Sequence, residues 1–266
     1  MMASVTASDV AALRGVITAD CVRASSPERA CDNEGSACVC ELDDADLQRF
    51  LVARRRDVDA ATELVRQERT WKSKYLPVMR TASLEALLAK HKVVHGGRTA
   101  NGDAVVVVYV RKHDKNEEDC VHLNTQLAVV AIEAGMARSE SGQLLAVMDM
   151  SEFGWAQTDL AMAKRIIYLL SIAYPERLSK MILFRAWLPF RSFYALVSPF
   201  VDERSKRKVH FASELSELES LHALTLSDLP VELGGTLDTA TDSDSGCWWD
   251  ALDRSVLLHQ ATDADK

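Results

Sequence analysis

Apolar positions divide the chain in two. Between Asp43 and Tyr75 they recur every three to four residues. Leu47, Phe50 and Leu51 share a stripe with Arg54, and Val58, Ala61, Leu64, Val65, Glu68 and Trp71 continue the spacing after Asp57. That period is helical, and Asp43 and Asp57 stand where N-caps belong, so the pattern predicts two helices with a break near residues 56–57. Ahead of them, Val10, Leu13, Val16 and Ile17 form a short apolar-periodic piece that leads into a Ser/Pro/Gly/Asp-rich loop at 25–35.

Beyond Pro77 the pattern changes. AVVVVYV (104–110) follows an Asn-Gly turn, and QLLAVMDM (143–150), KMILFRAW (180–187) and KRKVHFAS (206–213) are further apolar runs with little alternation. Helical periods fill 119–138, 157–173, 189–201 and 214–223. Strands without alternation, separated by helices, predict a mainly parallel sheet covered by helices, an α/β fold. The acidic stretch LDTATDSDSG after Gly235 is expected to be disordered, and Trp248 and Trp249 to dock on the domain surface.

Composition narrows the classes. The chain has 266 residues, 48% of them apolar, enough for one large core or two small ones. A net charge of −8 argues against nucleic acid as a partner. No apolar run approaches the roughly 18 residues of a membrane span. The start, MMASVTASDVAALRG, lacks the basic flank and apolar stretch of a secretory signal. A soluble, cytoplasmic protein is expected. Cys21, Cys120 and Cys247 stand alone, whereas Cys31, Cys38 and Cys40 cluster without the CxxC spacing of a zinc site; reduced thiols in a small-residue loop are expected, and no metal.

Catalytic signatures are missing. There is no GxGxxG after a strand, no GxxxxGK[ST], no GxSxG and no HExxH, and none of the seven histidines makes a recognisable metal pair. The sequence presents no enzyme.

Several stretches, taken in order, resemble the CRAL-TRIO family of lipid-binding and lipid-transfer proteins. LQRFLVARRRDVDAATELVRQERTWKSKY is similar to the family's N-terminal helical domain. ANGDAVVVVYV, LLAVMDMSEFG, AYPERLSKMILFRAW, PFRSFYALVSPFVDERSKRKVHF and LPVELGG match its pocket domain, so that residues 47–235 are covered. The resemblance implies a small all-α bundle (42–77) and a lipid-binding domain (82–237) whose mainly parallel sheet floors an apolar cavity. An N-terminal helix and loop (1–41) and an acidic tail (238–266) flank them. It also implies a gating helix that opens at a membrane. In 189–201, Phe190, Phe193, Tyr194, Val197 and Val201 fall near one helical face, with Phe200 beside them. A helix packed permanently on the core would show the same period, and the resemblance favours the gate. Arg204, Lys206 and Arg207 follow, a basic patch suited to transient contact with an anionic membrane.

Family members that bind phosphatidylinositol use an arginine in the Ala-Arg step, the glutamate of Tyr-Pro-Glu-Arg and a lysine just after the gate. By resemblance these are Arg54, Glu176 and Lys208. Cations suit a phosphodiester, and a carboxylate accepts hydrogen bonds from inositol hydroxyls. The fungal phosphatidylcholine/phosphatidylinositol exchangers carry Ser and Thr where this chain has Leu144 and Ala146, which speaks against phosphatidylcholine. The Asp-Gly-Arg-Pro turn common in the family reads Asn-Gly-Asp-Ala here. The expected function is non-catalytic binding and transfer of a lipid, foremost phosphatidylinositol, with no cofactor besides that ligand. Binding of another lipophile (tocopherol, retinoid or sterol-like) and a protein-interaction module remain alternatives.

Overall fold

The helical period after Asp43 is realised in a computed structural model of the chain, which describes residues 5–24, 42–222, 224–239 and 247–259. The cluster Cys31, Cys38 and Cys40 lies outside the described residues. Helix α1 spans Ala7–Ala24, α2 Asp44–Ala53 and α3 Val58–Tyr75. Asp43 caps α2 by accepting from the Asp46 amide at 2.7 Å, and Asp57 caps α3 by accepting from the Ala60 amide at 2.9 Å. Between them Arg55 and Arg56 take left-handed backbone conformations and reverse the chain. Leu13, Leu47, Phe50, Leu51, Ala61, Leu64 and Val65 form a sealed core in this unit, which comprises Met1–Leu76 and Leu169–Glu176.

Leu169–Glu176 belongs to this helical unit although it lies far along the sequence. The helix expected over 157–173 starts later: α6 covers Leu160–Tyr168 and runs on as a π-helix over Leu169–Ala173, where the Tyr174 amide donates to the Leu169 carbonyl at 3.0 Å. This segment buries Leu169 and Ala173. Tyr174 then meets the Trp71 ring edge-on at 6.1 Å.

The second unit, Pro77–Tyr168 with Arg177–Lys266, carries the sheet. Strand β1 is Val78–Arg80, β2 Val93–Arg98, β3 Ala104–Tyr109, β4 Leu144–Asp149, β5 Leu178–Phe184, β6 Val209–Ala212 and β7 Leu257–His259. Their helices are α4 Ala82–Leu88, α5 Cys120–Arg138, α7 Leu188–Val197, α8 Glu203–Lys206 and α9 Leu215–His222. Five strands run in the order β2-β3-β4-β5-β6, parallel except for the antiparallel pair β2–β3; β1 and β7 form a separate parallel ladder. The expected parallel α/β sheet is present. Strand β2 gave no sequence signal, since it carries Gly96 and Gly97; the carbonyl of Asp228 lies so close to Gly96 that a side chain would overlap it. Strand β5 ends at Phe184 rather than Trp187, because Arg185 turns left-handed. Among the described residues no helix is long and apolar enough to cross a membrane.

Of the acidic stretch expected to be disordered, Leu237 pairs with Pro230, and residues 240–246 lie outside the described residues. Trp248 and Trp249 are buried, as expected of a segment that docks on the domain. The Trp248 indole N–H donates to the Val93 carbonyl at 3.1 Å and its ring meets His95 at 4.8 Å. His95 is fully buried, and neither ring nitrogen has a hydrogen-bond partner. Burial, with a smaller contribution from the Arg138 charge, holds its pKa down to about 3 from 6.5. The unfolded chain therefore binds this proton first as pH falls. The associated stability is complete above about 6.5 and is lost between there and about 3, at roughly 1.4 kcal/mol per pH unit. Replacing His95→Leu should remove this loss: between about pH 7 and pH 5, urea denaturation should show the wild type losing about 2 kcal/mol more than the variant. Equal losses would refute it.

Candidate functional site

The two faces of the five-stranded sheet differ. One face is closed: Val105, Val107, Tyr109, Leu145, Val147 and Phe184 pack without solvent under Leu218, Leu224, Leu229 and Leu233. On the other, Val108, Ala146, Met148, Met181 and Val209 remain half-buried. These positions are contiguous. Val108 pairs with Met148 in register, Ala146 with Met181, and Met181 with Val209. Strands β4 and β5 are interior strands, where apolar side chains are ordinarily covered completely.

Aromatic side chains cover part of this floor: Val108, Met148, Met181 and Val209 pack against the cluster that holds Phe153 and Phe190. Phe190 of α7 meets Phe153 at 5.1 Å, Phe193 meets Phe153 at 5.7 Å, and Tyr194 meets Phe190 at 6.2 Å. All three rings of α7 pack with Val110, Met150, Phe153 and Leu183. Helix α6, strongly amphipathic in sequence, has no fully buried residue. Ala146 lies on the floor itself, whereas Leu144 is buried against Gly135 of α5.

The sequence-predicted gate residues separate by direction. Phe190 and Val197 are buried, Phe193 and Tyr194 are half-buried against the sheet, Val201 is half-buried, and Phe200 is exposed. The apolar face read from the periodicity therefore points largely inwards, onto the sheet. A second apolar set faces outwards: Leu188 is 74% exposed and Leu196 65%, with Trp187 and Phe200 also exposed. Isolated apolar residues on an otherwise polar face were its only signal in the sequence.

The expected headgroup residues fall in both units. Arg54 ends α2, and its amide donates to the Phe50 carbonyl at 3.1 Å. Glu176 follows Pro175 in the same unit with a φ of 60°, a left-handed conformation uncommon outside glycine. Lys208 is in the α/β unit, where its Nζ donates to the Leu178 carbonyl at 2.8 Å. The basic patch sits on α8, capped by Asp202, which accepts from the Arg204 and Ser205 amides. Lys206 pairs with Glu203 at 2.6 Å, and Arg207 Nε donates to the Glu203 carbonyl at 3.2 Å.

A buried polar cluster was not foreseen. His113, Cys120 and Asp159 bring nitrogen, sulfur and oxygen donors within 4.8 Å of one another. Both ring nitrogens of His113 are already engaged: Nδ1 lies 2.7 Å from Lys92 Nζ and Nε2 lies 3.1 Å from Asp159 Oδ2. Lys92 also donates to Asn124, and Asp159 accepts from the Met162 amide at 2.9 Å, capping α6. Burial lowers Lys92 to about 8, lowers His113 together with the Lys92 charge, and raises the Cys120 thiol. The cluster ties the start of α6 to α5 and to Lys92, just before β2, through hydrogen bonds.

Residues 88–235 match the CRAL/TRIO domain, more than half of the chain. The chain belongs to the CRAL/TRIO domain family. This family is one of lipid-binding and lipid-transfer proteins. Among curated relatives, the human "Alpha-tocopherol transfer protein-like" is 27% identical over 214 residues, covering 75% of this chain and 61% of its own length. The chain thus spans 61% of that relative. The Candida glabrata "SEC14 cytosolic factor" is 26% identical over 237 residues, covering 79% and 78%. The crystal structure of Sfh5 shares the CRAL/TRIO fold with a TM-score of 0.59 at 17% identity, covering 79% of each chain.

Removing the Asp159 side chain deletes both the α6 cap and a partner of buried His113. Asp159→Ala should lower unfolding free energy by about 2–4 kcal/mol in chemical denaturation. A change below about 0.5 kcal/mol would show that the network carries no stability.

Proposed function

We propose that the protein binds one phospholipid, phosphatidylinositol, over the open apolar floor of the sheet and transfers or presents it between membranes without catalysis or a further cofactor. The observation that carries this is the floor: Val108, Ala146, Met148, Met181 and Val209 are apolar, contiguous and only half-buried in the middle of a sheet whose other face is sealed. Acyl chains laid there would contribute about 0.8 kcal/mol per buried CH₂. Helix α7 supplies the cover through Phe190, Phe193 and Tyr194. Arg54 and Lys208 serve the phosphodiester, and Glu176 the inositol hydroxyls. The name of the tocopherol-transfer relative supports a carried lipophile.

Lipids extracted from the purified protein and identified by mass spectrometry test the reading directly. Phosphatidylinositol at about one per chain is expected, and Lys208→Ala should lower its transfer between vesicles about tenfold, the loss of one charge-assisted hydrogen bond. Recovery of a tocopherol or sterol instead would replace the headgroup assignment, and an empty protein that takes up no lipid would overturn the reading.

Membrane contact in this proposal runs through the outward apolar side chains of α7. The double variant Leu188→Glu with Leu196→Glu should retain bound lipid yet lose sedimentation with anionic vesicles. Undiminished sedimentation would place the docking surface elsewhere.

A further inference from the structure

Glu68 of α3 is a buried carboxylate, only 2% exposed, that the function described above does not use. It gathers cations: Arg49 of α2 lies 3.3 Å from Oε1, Lys72 3.2 Å from Oε1, and Arg69 3.7 Å from Oε2. A buried carboxylate is tolerated only where opposite charge meets it: Oε1 accepts from Arg49, and Oε2, which has no hydrogen-bond partner, is held by the Arg69 charge alone.

Two of the partners reach one short segment. Arg49 spends its Nε on Asp46 at 2.9 Å and one terminal nitrogen on Glu68, and its other terminal nitrogen donates to the Pro175 carbonyl at 3.3 Å. Lys72 lies over the Tyr174 ring at 5.3 Å, and Trp71 packs edge-on against the same ring. Residues 174 and 175 are therefore held from α2 and α3 at once. The next residue is Glu176, in its left-handed conformation. Non-glycine residues persist in that region only where their surroundings over-determine them.

We infer that Glu68 and Arg49 are positioning residues that clamp the 174–176 turn and so set the direction of the Glu176 carboxylate toward an inositol ring. The inference rests on the phosphatidylinositol reading. Neither residue touches the ligand: Glu68 acts through Arg49, and Arg49 through the Pro175 carbonyl. The clamp governs choice of headgroup, not burial of acyl chains.

The test uses the full chain exchanged against vesicles of equal phosphatidylinositol and phosphatidylglycerol, with bound lipid counted by mass spectrometry. The two lipids share an anionic phosphodiester and differ in the inositol ring. Glu176→Gln should lower the phosphatidylinositol-to-phosphatidylglycerol ratio about tenfold, and Glu68→Gln should lower it comparably with total bound lipid unchanged. Glu68→Asp, which keeps the charge, should restore most of the ratio. Amide exchange at residues 174, 176 and 177 should rise in Glu68→Gln, a change that loss of lipid preference by any other route would not produce. Should Glu68→Gln fail to fold, Arg49→Gln, which leaves Lys72 and Arg69 on the carboxylate, carries the same expectation. If Glu176→Gln shifts the ratio and both clamp variants leave it unchanged, the clamp is overturned and the headgroup reading stands. If Glu176→Gln itself leaves the ratio unchanged, both fall together.

Discussion

The architecture of the α/β unit turns on the unequal covering of one sheet. A parallel sheet built from runs such as Val105–Val108 and Leu144–Met148 must be covered on both faces, because successive residues, and not only alternate ones, are apolar. Helix α9 and the turns that carry Leu229 and Leu233 complete this on one side. On the other side α5 closes the part near β2 and β3, where Gly135 allows Leu144 and Val106 to approach its backbone. Helix α7 closes the part near its own aromatic cluster. Between these helices the floor stays open. Sealing it with larger side chains would stabilise the fold by about 1.5–3 kcal/mol for each fully buried residue, so its openness is a cost to stability that an apolar occupant can offset.

Much of this fold is legible in the sequence, and the illegible parts have physical causes. Asp43 and Asp57 announce helix starts because capping is a local interaction within three residues. The valine-rich β3 and the run over β4 announce strands through side chains alone. Strand β2 does not, because its place is set by distant partners: the Asp228 backbone over Gly96 and the Trp248 indole on Val93. The 169–173 segment continues α6, but its π geometry and its place in the helical unit leave no mark in the periodicity. In α7 the sequence shows an apolar helix but not which apolar residues face out, since Leu188 and Leu196 are as hydrophobic as the residues that face the core.

The site divides in the same way. Arg54, Glu176 and Lys208 are conspicuous by resemblance, whereas composition and periodicity say nothing of their roles. The supports of Glu176 are hidden more deeply. Arg49 and Glu68 stand 19 residues apart, and Arg49 and Pro175 126 apart, so no local pattern joins them. Glu68 also falls on the buried stripe of α3, where a carboxylate looks like a break in the apolar period. Its burial becomes intelligible only once three cations surround it.

Magnitudes decide how the proposed membrane contact would be driven. Residues 202–208 contain four cations, yet Asp202 and Glu203 reduce their sum to +2, and Lys206 and Arg207 are both engaged with Glu203. At about 1 kcal/mol per effective cation near an anionic surface, the patch supplies roughly 2 kcal/mol, within a chain that is −8 overall. Leu188, Leu196, Trp187 and Phe200 expose apolar surface worth on the order of 1 kcal/mol or more each on insertion. The apolar set therefore outweighs the basic one, and the charges orient the approach more than they hold the protein in place. Under that proposal such a surface would dock weakly and reversibly, as a carrier that must leave the membrane again requires.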